Sequence, residues 1–260
     1  MIPRAHGAWV MFAAPFVVAA GVAGRFDLPA GLLLTAGLAL FLADAPLLAL
    51  VRGRQRGRAI RWATAYGLVG IAASSVLLAH YRLLILIPFG LFGLAVMGVR
   101  LFQASVRADR SAGAELLSLA GFSASAPATY AVLTGYLDLT ALLLWALHAL
   151  FFGSSVFYVK MRVQTVAHRR RPDMHHQEDE SDFGRATVCY HAALALLVSV
   201  LSVAGHLPAL AALAFAPVVF RALWAVARRP DDLRLWRVGA AETGYALTFV
   251  ALVVMAFRIQ

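Results

Sequence analysis

The feature that most constrains this chain is a succession of apolar stretches, each close to the length of a membrane-crossing helix, with arginines gathered on alternate connections. The stretches fall at about 7–24, 28–50, 62–80, 82–102, 113–135, 138–159, 186–204, 207–227 and 238–257. Each approaches the ~20 residues a helix needs to cross ~30 Å of hydrocarbon. With 62% hydrophobic and only 14% charged residues, a soluble fold of 260 residues would have no way to cover its apolar surface, so lipid is the expected solvent. The expectation is an all-α polytopic bundle of nine transmembrane helices, one domain over 1–260, with a charged cytoplasmic loop at about 163–184.

Charge orients the bundle. With the amino terminus assigned to the cytoplasm, all of the 23 lysines and arginines except Arg25, Arg82 and Arg258 fall on inner loops or inner helix ends. The positive-inside rule then predicts N-in, C-out, in the cell membrane. A net charge of +10 would point to nucleic acid in a soluble protein, but here the anionic cytoplasmic leaflet is the expected partner and nucleic acid is not. Arg4 and His6 are followed by Trp9 and Pro15 without a small-residue cleavage site, so the first stretch reads as a helix and not as a signal peptide. The single cysteine, Cys189, excludes an intrachain disulfide and a cysteine-rich metal site.

Ionisable residues inside spans cost roughly 3 kcal/mol or more each and therefore mark candidate sites. Three acids qualify: Asp44, Glu115 and Glu242. Asp44 lies eight residues before Arg52, about 12 Å of helix rise, and the other two lie within about 8 Å of inner-side arginines. On the sixth span, at 100° per residue, His148, Phe152, Ser155 and Arg162 share one stripe with Tyr158 at its edge, and Lys160 points nearly the opposite way. One of these two cations should face the bundle while the other snorkels. Lys160 is the only lysine, and a lysine retained among arginines hints at a need for a compact, titratable amine. Glu242 and Tyr245 share a face of the last span, while Arg185, Tyr190 and His191 add polar groups to the seventh. His148, being deeper, reads as a hydrogen-bonded packing residue. Pro15, Pro46, Pro88, Pro127 and Pro217 lie inside spans and are read as kinks, with Ser123, Ser125, Thr129 and Tyr130 able to serve backbone freed near Pro127. In the loop after the sixth span, His175, His176 and the acids from Glu178 to Asp182 lack a metal-binding spacing, so no metal ligand is assigned.

The opening Arg4-Ala-His6-Gly7-Ala8-Trp9 followed by Pro15 resembles that of the UbiA-type intramembrane prenyltransferase superfamily, and, more closely, the His6-Gly7-Ala8-Trp9 start and the segment Tyr158-Val159-Lys160-Met161-Arg162 resemble the YwiC-like family of bacterial membrane proteins. In topology the whole chain also resembles the UbiA-type superfamily. That resemblance implies a lipid-facing site near the cytoplasmic side, where members hold Mg²⁺ and a prenyl diphosphate on two aspartate-rich motifs. At the matching places this chain has Asp44 alone and, around Lys160, no aspartate. A lone carboxylate cannot reproduce two hard-cation clusters, which leaves the cofactor unknown and counts against Mg²⁺.

The expected function is a UbiA-like membrane protein whose cytoplasm-facing cavity binds or modifies an anionic amphipathic lipid or isoprenoid. Whether it is a transferase with a degenerate metal site stays open. Asp44, Glu115 and Lys160 are the candidate catalytic residues; His6, Arg100, Tyr158, Arg162, Arg185, His191, Glu242 and Tyr245 are the candidate substrate contacts. Two other readings are a small proton- or cation-coupled transporter using the three acids, and a non-catalytic subunit or assembly factor of a membrane complex.

Overall fold

A computed structural model describes residues 6–107, 112–170, 177–228 and 235–259; the side chains of 6, 112, 167–170, 177–183 and 235 lie outside the description. Every regular element among the described residues is helical: α1 (His6–Ala23), α2 (Leu28–Val51), α3 (Arg56–Ser75), α4 (Ile87–Ser105), α5 (Ala112–Ser123), α6 (Ser125–Thr134), α7 (Leu139–Arg170), α8 (Gln177–Val203), α9 (Ala209–Leu213), α10 (Ala216–Arg228) and α11 (Leu235–Arg258). A π turn (Val76–His80) extends α3 and a 3₁₀ turn (Leu84–Leu86) precedes α4. Eight stretches among these are long and apolar enough to cross a bilayer, and the first expected span corresponds to a shorter apolar helix, Gly7–Ala23.

Local chemistry explains where these helices start and stop. Asp27 caps α2 by accepting from the Ala30 N–H at 3.1 Å, and Asp138 does the same for Ala141 ahead of α7 at 3.0 Å. After α1 and α6 the chain turns at Gly24 and Gly135, whose φ values of 72° and 91° suit glycine. Three of the five prolines turn out to begin helices. Pro88 and Pro217 are the second residues of α4 and α10, and Pro127 is the third of α6. Each lacks an N–H at a position where a helix needs none. The break at Ala124 divides one span into α5 and α6, and Ser125 Oγ donates to the Phe122 carbonyl there at 2.6 Å. A second break, at Ala214 and Phe215, separates α9 from α10.

The charged stretch expected as a loop over 163–184 is largely helical, because α7 runs to Arg170 and α8 begins at Gln177. Neither glycine nor proline occurs between Lys160 and Arg170, so nothing in the backbone ends the helix at the edge of the apolar span; Pro172 follows just beyond. His175 and His176 lie outside the described residues.

The chain forms two compact units, residues 1–148 and 149–260. In the first, α3 packs along α2, α1 on α6 and α5, and α4 on α5 and α2. Its interior holds a phenylalanine cluster in which Phe12 and Phe41 stack at 5.1 Å and Phe122 meets Phe41 edge-on at 5.8 Å. In the second, α8 packs on α10 and α11 on α9, with Phe151 stacked on Phe249 at 4.2 Å and Phe215 edge-on to both. The apolar residues Phe102, Leu196, Val203 and Phe220 remain exposed on the exterior. Helices apolar on faces that no protein covers are those of a bilayer-embedded bundle.

Candidate functional site

Among the described residues two polar clusters stand out within the apolar helices, one in each unit. In the first, Arg100 on α4 bridges α2 and α5: its Nη2 donates to Asp44 Oδ2 at 3.2 Å and its Nη1 to Ser118 Oγ at 3.1 Å. Ser118 in turn donates to the Ala114 carbonyl one turn back at 2.8 Å. The second carboxylate oxygen of Asp44 is buried and has no hydrogen-bond partner among the described residues. Side chains of the pair are about a quarter exposed, at 28% for Arg100 and 22% for Asp44.

This cluster borders a cavity of about 710 Å³, within the ~300–1,000 Å³ usual for small-ligand sites. Its wall is mostly apolar, with Phe16, Phe41, Leu77, Leu86 and Phe122 among the side chains and a few hydroxyls between them, and among the described residues Asp44 and Arg100 are the only charged ones lining it. Glycines shape it. A Cβ added to Gly67 or Gly90 would meet nothing within 4 Å, whereas at Gly121 it would come to 3.0 Å from Val96 Cγ1. The first two therefore leave open space and the third permits close packing of α5 on α4. Among the described residues α3 and α4 do not pack along one another. The lining residues Ile71, Leu91 and Leu94 on these two helices are 65%, 64% and 60% exposed. The cavity is therefore open at its side.

The second cluster joins α7, α8, α10 and α11. Arg221 donates through Nη1 to Glu242 Oε1, and Ser155 donates to Glu242 Oε2 at 2.6 Å. The Arg221 guanidinium lies 4.0 Å from the Tyr158 ring centre and 5.0 Å from that of Tyr245, so two aromatic faces cover it. Arg221 Nη2 also donates to Ser154 Oγ at 3.4 Å, and Ser154 lies 2.8 Å from His191 Nε2. His191 Nδ1 is 2.7 Å from the Thr187 carbonyl, an acceptor, which assigns the ring proton to Nδ1 and leaves Nε2 to accept from Ser154. A serine beside a histidine has the look of a nucleophile and its base, but both are fully buried, and the imidazole is held by a carbonyl of its own helix and not by a carboxylate. No reacting atom can reach them. The arrangement is a buried hydrogen-bond chain that engages both oxygens of Glu242 and two nitrogens of Arg221, with the Arg221 Nε–H left without a partner among the described residues.

Asp44 and Arg100, then, stand on the cavity, and Glu115 lies half-buried on α5, one turn before Ser118. In the second unit Tyr158, His191, Glu242 and Tyr245 surround the Arg221 network. Arg162 is buried and donates to Tyr158 Oη at 3.5 Å, Lys160 is half-buried, and Arg185 is exposed. Of the two α7 cations, Arg162 is thus the one that faces inward. The stripe of His148, Phe152, Ser155 and Arg162 is buried throughout, and His148 Nδ1 lies 2.7 Å from the Leu144 carbonyl, as a packing histidine should. His6 begins α1, with its side chain outside the description. Sequence reasoning missed Arg221, Ser118 and Ser154. Arg221 carried a usable signal: it lies seven residues, about 10 Å of rise, before Arg228, too deep for a loop-edge arginine.

The apolar exterior, the membrane-length helices and the paired charges at depth define an integral, multi-pass membrane protein of the all-α class. Residues 2–130 match the model of the YwiC-like protein family. The match covers the His6–Trp9 opening and the whole Asp44, Arg100 and Ser118 cluster; the Tyr158–Arg162 segment lies beyond it. No curated protein and no solved structure matches the chain.

The donor set at the cavity does not fit Mg²⁺. Among the described residues Asp44 is the single carboxylate on its wall, one of its oxygens is engaged by Arg100, and the adjacent guanidinium repels a cation.

Proposed function

We propose that the first unit holds an amphipathic lipid or isoprenoid, its hydrocarbon chain in the apolar cavity and its polar head at Asp44, Arg100 and Ser118. The observation that carries this reading is the join of a large apolar cavity to one small polar end. Beyond that end the wall offers only scattered hydroxyls, those of Tyr66, Ser74, Ser75 and Ser125, too few for an aqueous metabolite, whereas a hydrocarbon chain finds contact along most of it. The gap between α3 and α4 supports the same reading, since a chain already dissolved in the bilayer can slide in sideways without crossing water. Its place next to the inner-side arginines fits the N-in orientation, with the head toward the cytoplasm.

Asp44 serves in this reading as the orienter of Arg100. A guanidinium on an unbranched stem has many rotamers; the Asp44 carboxylate and the Ser118 hydroxyl fix one of them, so that the head meets a prepositioned donor. A proton or cation path gains less support, because Asp44 and Glu242 are each engaged by an arginine.

The test is native mass spectrometry of protein purified in mild detergent. The wild type should retain lipid, and Gly67→Leu, which places a side chain into the open space beside the cavity, should lose most of it while keeping its thermal transition. Equal retention by the filled variant would overturn the proposal.

A further inference from the structure

We propose that the head group held at Asp44 and Arg100 is uncharged and carries a hydroxyl, which makes the occupant a long-chain or isoprenoid alcohol. This rests on the reading that the cavity takes a lipid, and it narrows that reading by charge and by hydrogen-bonding capacity.

Charge comes first. Among the described residues the cavity wall holds one acid and one base, bonded to each other at 3.2 Å, so the lining itself is close to neutral; Arg52, which does not line the cavity, adds its positive field at Asp44. A diphosphate would bring two or more negative charges beside a carboxylate, with a single arginine already engaged. An ammonium would sit beside the guanidinium, again adding a like charge. A neutral head adds no charge to an ion pair that already balances.

Hydrogen-bond capacity points the same way. A guanidinium has five N–H donors, and two of its nitrogens are engaged here, by Asp44 and Ser118. The Ser118 proton goes to the Ala114 carbonyl, so Ser118 has no hydrogen left for a ligand. Asp44 Oδ1 has no hydrogen-bond partner among the described residues. The terminal torsion of an aspartate is soft, and a modest rotation brings that oxygen to the cavity in which the residue already takes part. The site therefore offers an acceptor in need of a donor next to spare donors. A phosphate or carboxylate head only accepts and an ammonium only donates. A hydroxyl does both, and it is small enough to stand between the two side chains: its hydrogen to Asp44, its oxygen to Arg100.

Binding of three tritiated C20 isoprenoid probes, the alcohol, the diphosphate and the primary amine, to the full chain in phosphatidylcholine nanodiscs tests this. The alcohol should bind at least about tenfold more tightly than either charged probe, since one charge-assisted hydrogen bond commonly accounts for that factor. Asp44→Leu should weaken alcohol binding by about 10- to 100-fold. Asp44→Leu combined with Arg100→Met, which leaves no unpaired charge, should still fold and should bind the alcohol no better than the single variant. Tighter binding of the diphosphate or the amine overturns the head-group assignment while leaving the lipid reading in place. Failure of all three probes also overturns it, and the lipid reading then stands or falls on the retained lipid of the wild type and of Gly67→Leu.

Discussion

The two polar clusters use the same pairing, arginine with a carboxylate and serine, under opposite conditions. Arg221 and Glu242 are 7% and 14% exposed and lie under the rings of Tyr158 and Tyr245, whereas Arg100 and Asp44 are 28% and 22% exposed and border an open cavity. Around Arg221 both carboxylate oxygens are engaged; at Asp44 one is left over. An ion pair whose carboxylate is fully engaged and whose guanidinium lies under aromatic cover, with only the Arg221 Nε–H left unpartnered among the described residues, holds helices together and presents no acceptor to a ligand. One left incomplete beside a cavity retains capacity for a ligand at some cost in stability. Side-chain identity alone does not distinguish the two roles; what surrounds the pair does.

Removing one partner from each pair is the sharpest way to break this contrast. Glu242→Ala should have the largest effect, because it leaves Arg221 charged and unpaired inside the second unit, at a cost of about 3–5 kcal/mol. Thermal unfolding in detergent should show a large drop, and Arg221→Met added to Glu242→Leu should recover most of it; an unchanged transition in Glu242→Ala would remove the structural role. Next comes Gly153→Ala. A Cβ there would come within 2.4 Å of Tyr190 Oη, which donates to the Leu150 carbonyl at 2.8 Å, so the tyrosine must move and lose that bond. About 1–3 kcal/mol should be lost, and Tyr190→Phe in the same background should cost little more, since the bond is already broken. The smallest stability effect belongs to Asp44→Asn, which keeps an oxygen for Arg100 in a half-open setting and should cost only about 0.5–1 kcal/mol. If Asp44→Asn proved as damaging as Glu242→Ala, the distinction between an incomplete and a closed pair would fail.

Much of this was legible in the chain. Span positions follow from length and apolarity, and the buried stripe of α7 follows from 100° per residue, because in a bundle the polar members of an apolar helix turn toward protein. Pro88, Pro127 and Pro217 marked irregularities, but periodicity could not show that each begins a new helix after a break. Asp44 and Glu242 stood out as costly charges. Of their partners, Arg100 was named only as a candidate substrate contact and Arg221, Ser118 and Ser154 not at all. Arg100 and Arg221 look like inner-side arginines until their depth is counted, and Ser118 and Ser154 are ordinary helix residues whose roles depend on which neighbours the fold brings to them. The division into two units left no mark in composition, since its boundary falls inside the continuous helix α7.

That helix has a reach of its own. Thirty-two residues from Leu139 to Arg170 rise about 48 Å, against a hydrocarbon slab of about 30 Å. Even at a tilt of about 20° its final turns stand clear of the acyl region, at headgroup level and above. The surplus falls at the charged end of the helix, from Lys160 to Arg170, where lipid is a poor solvent and water a good one.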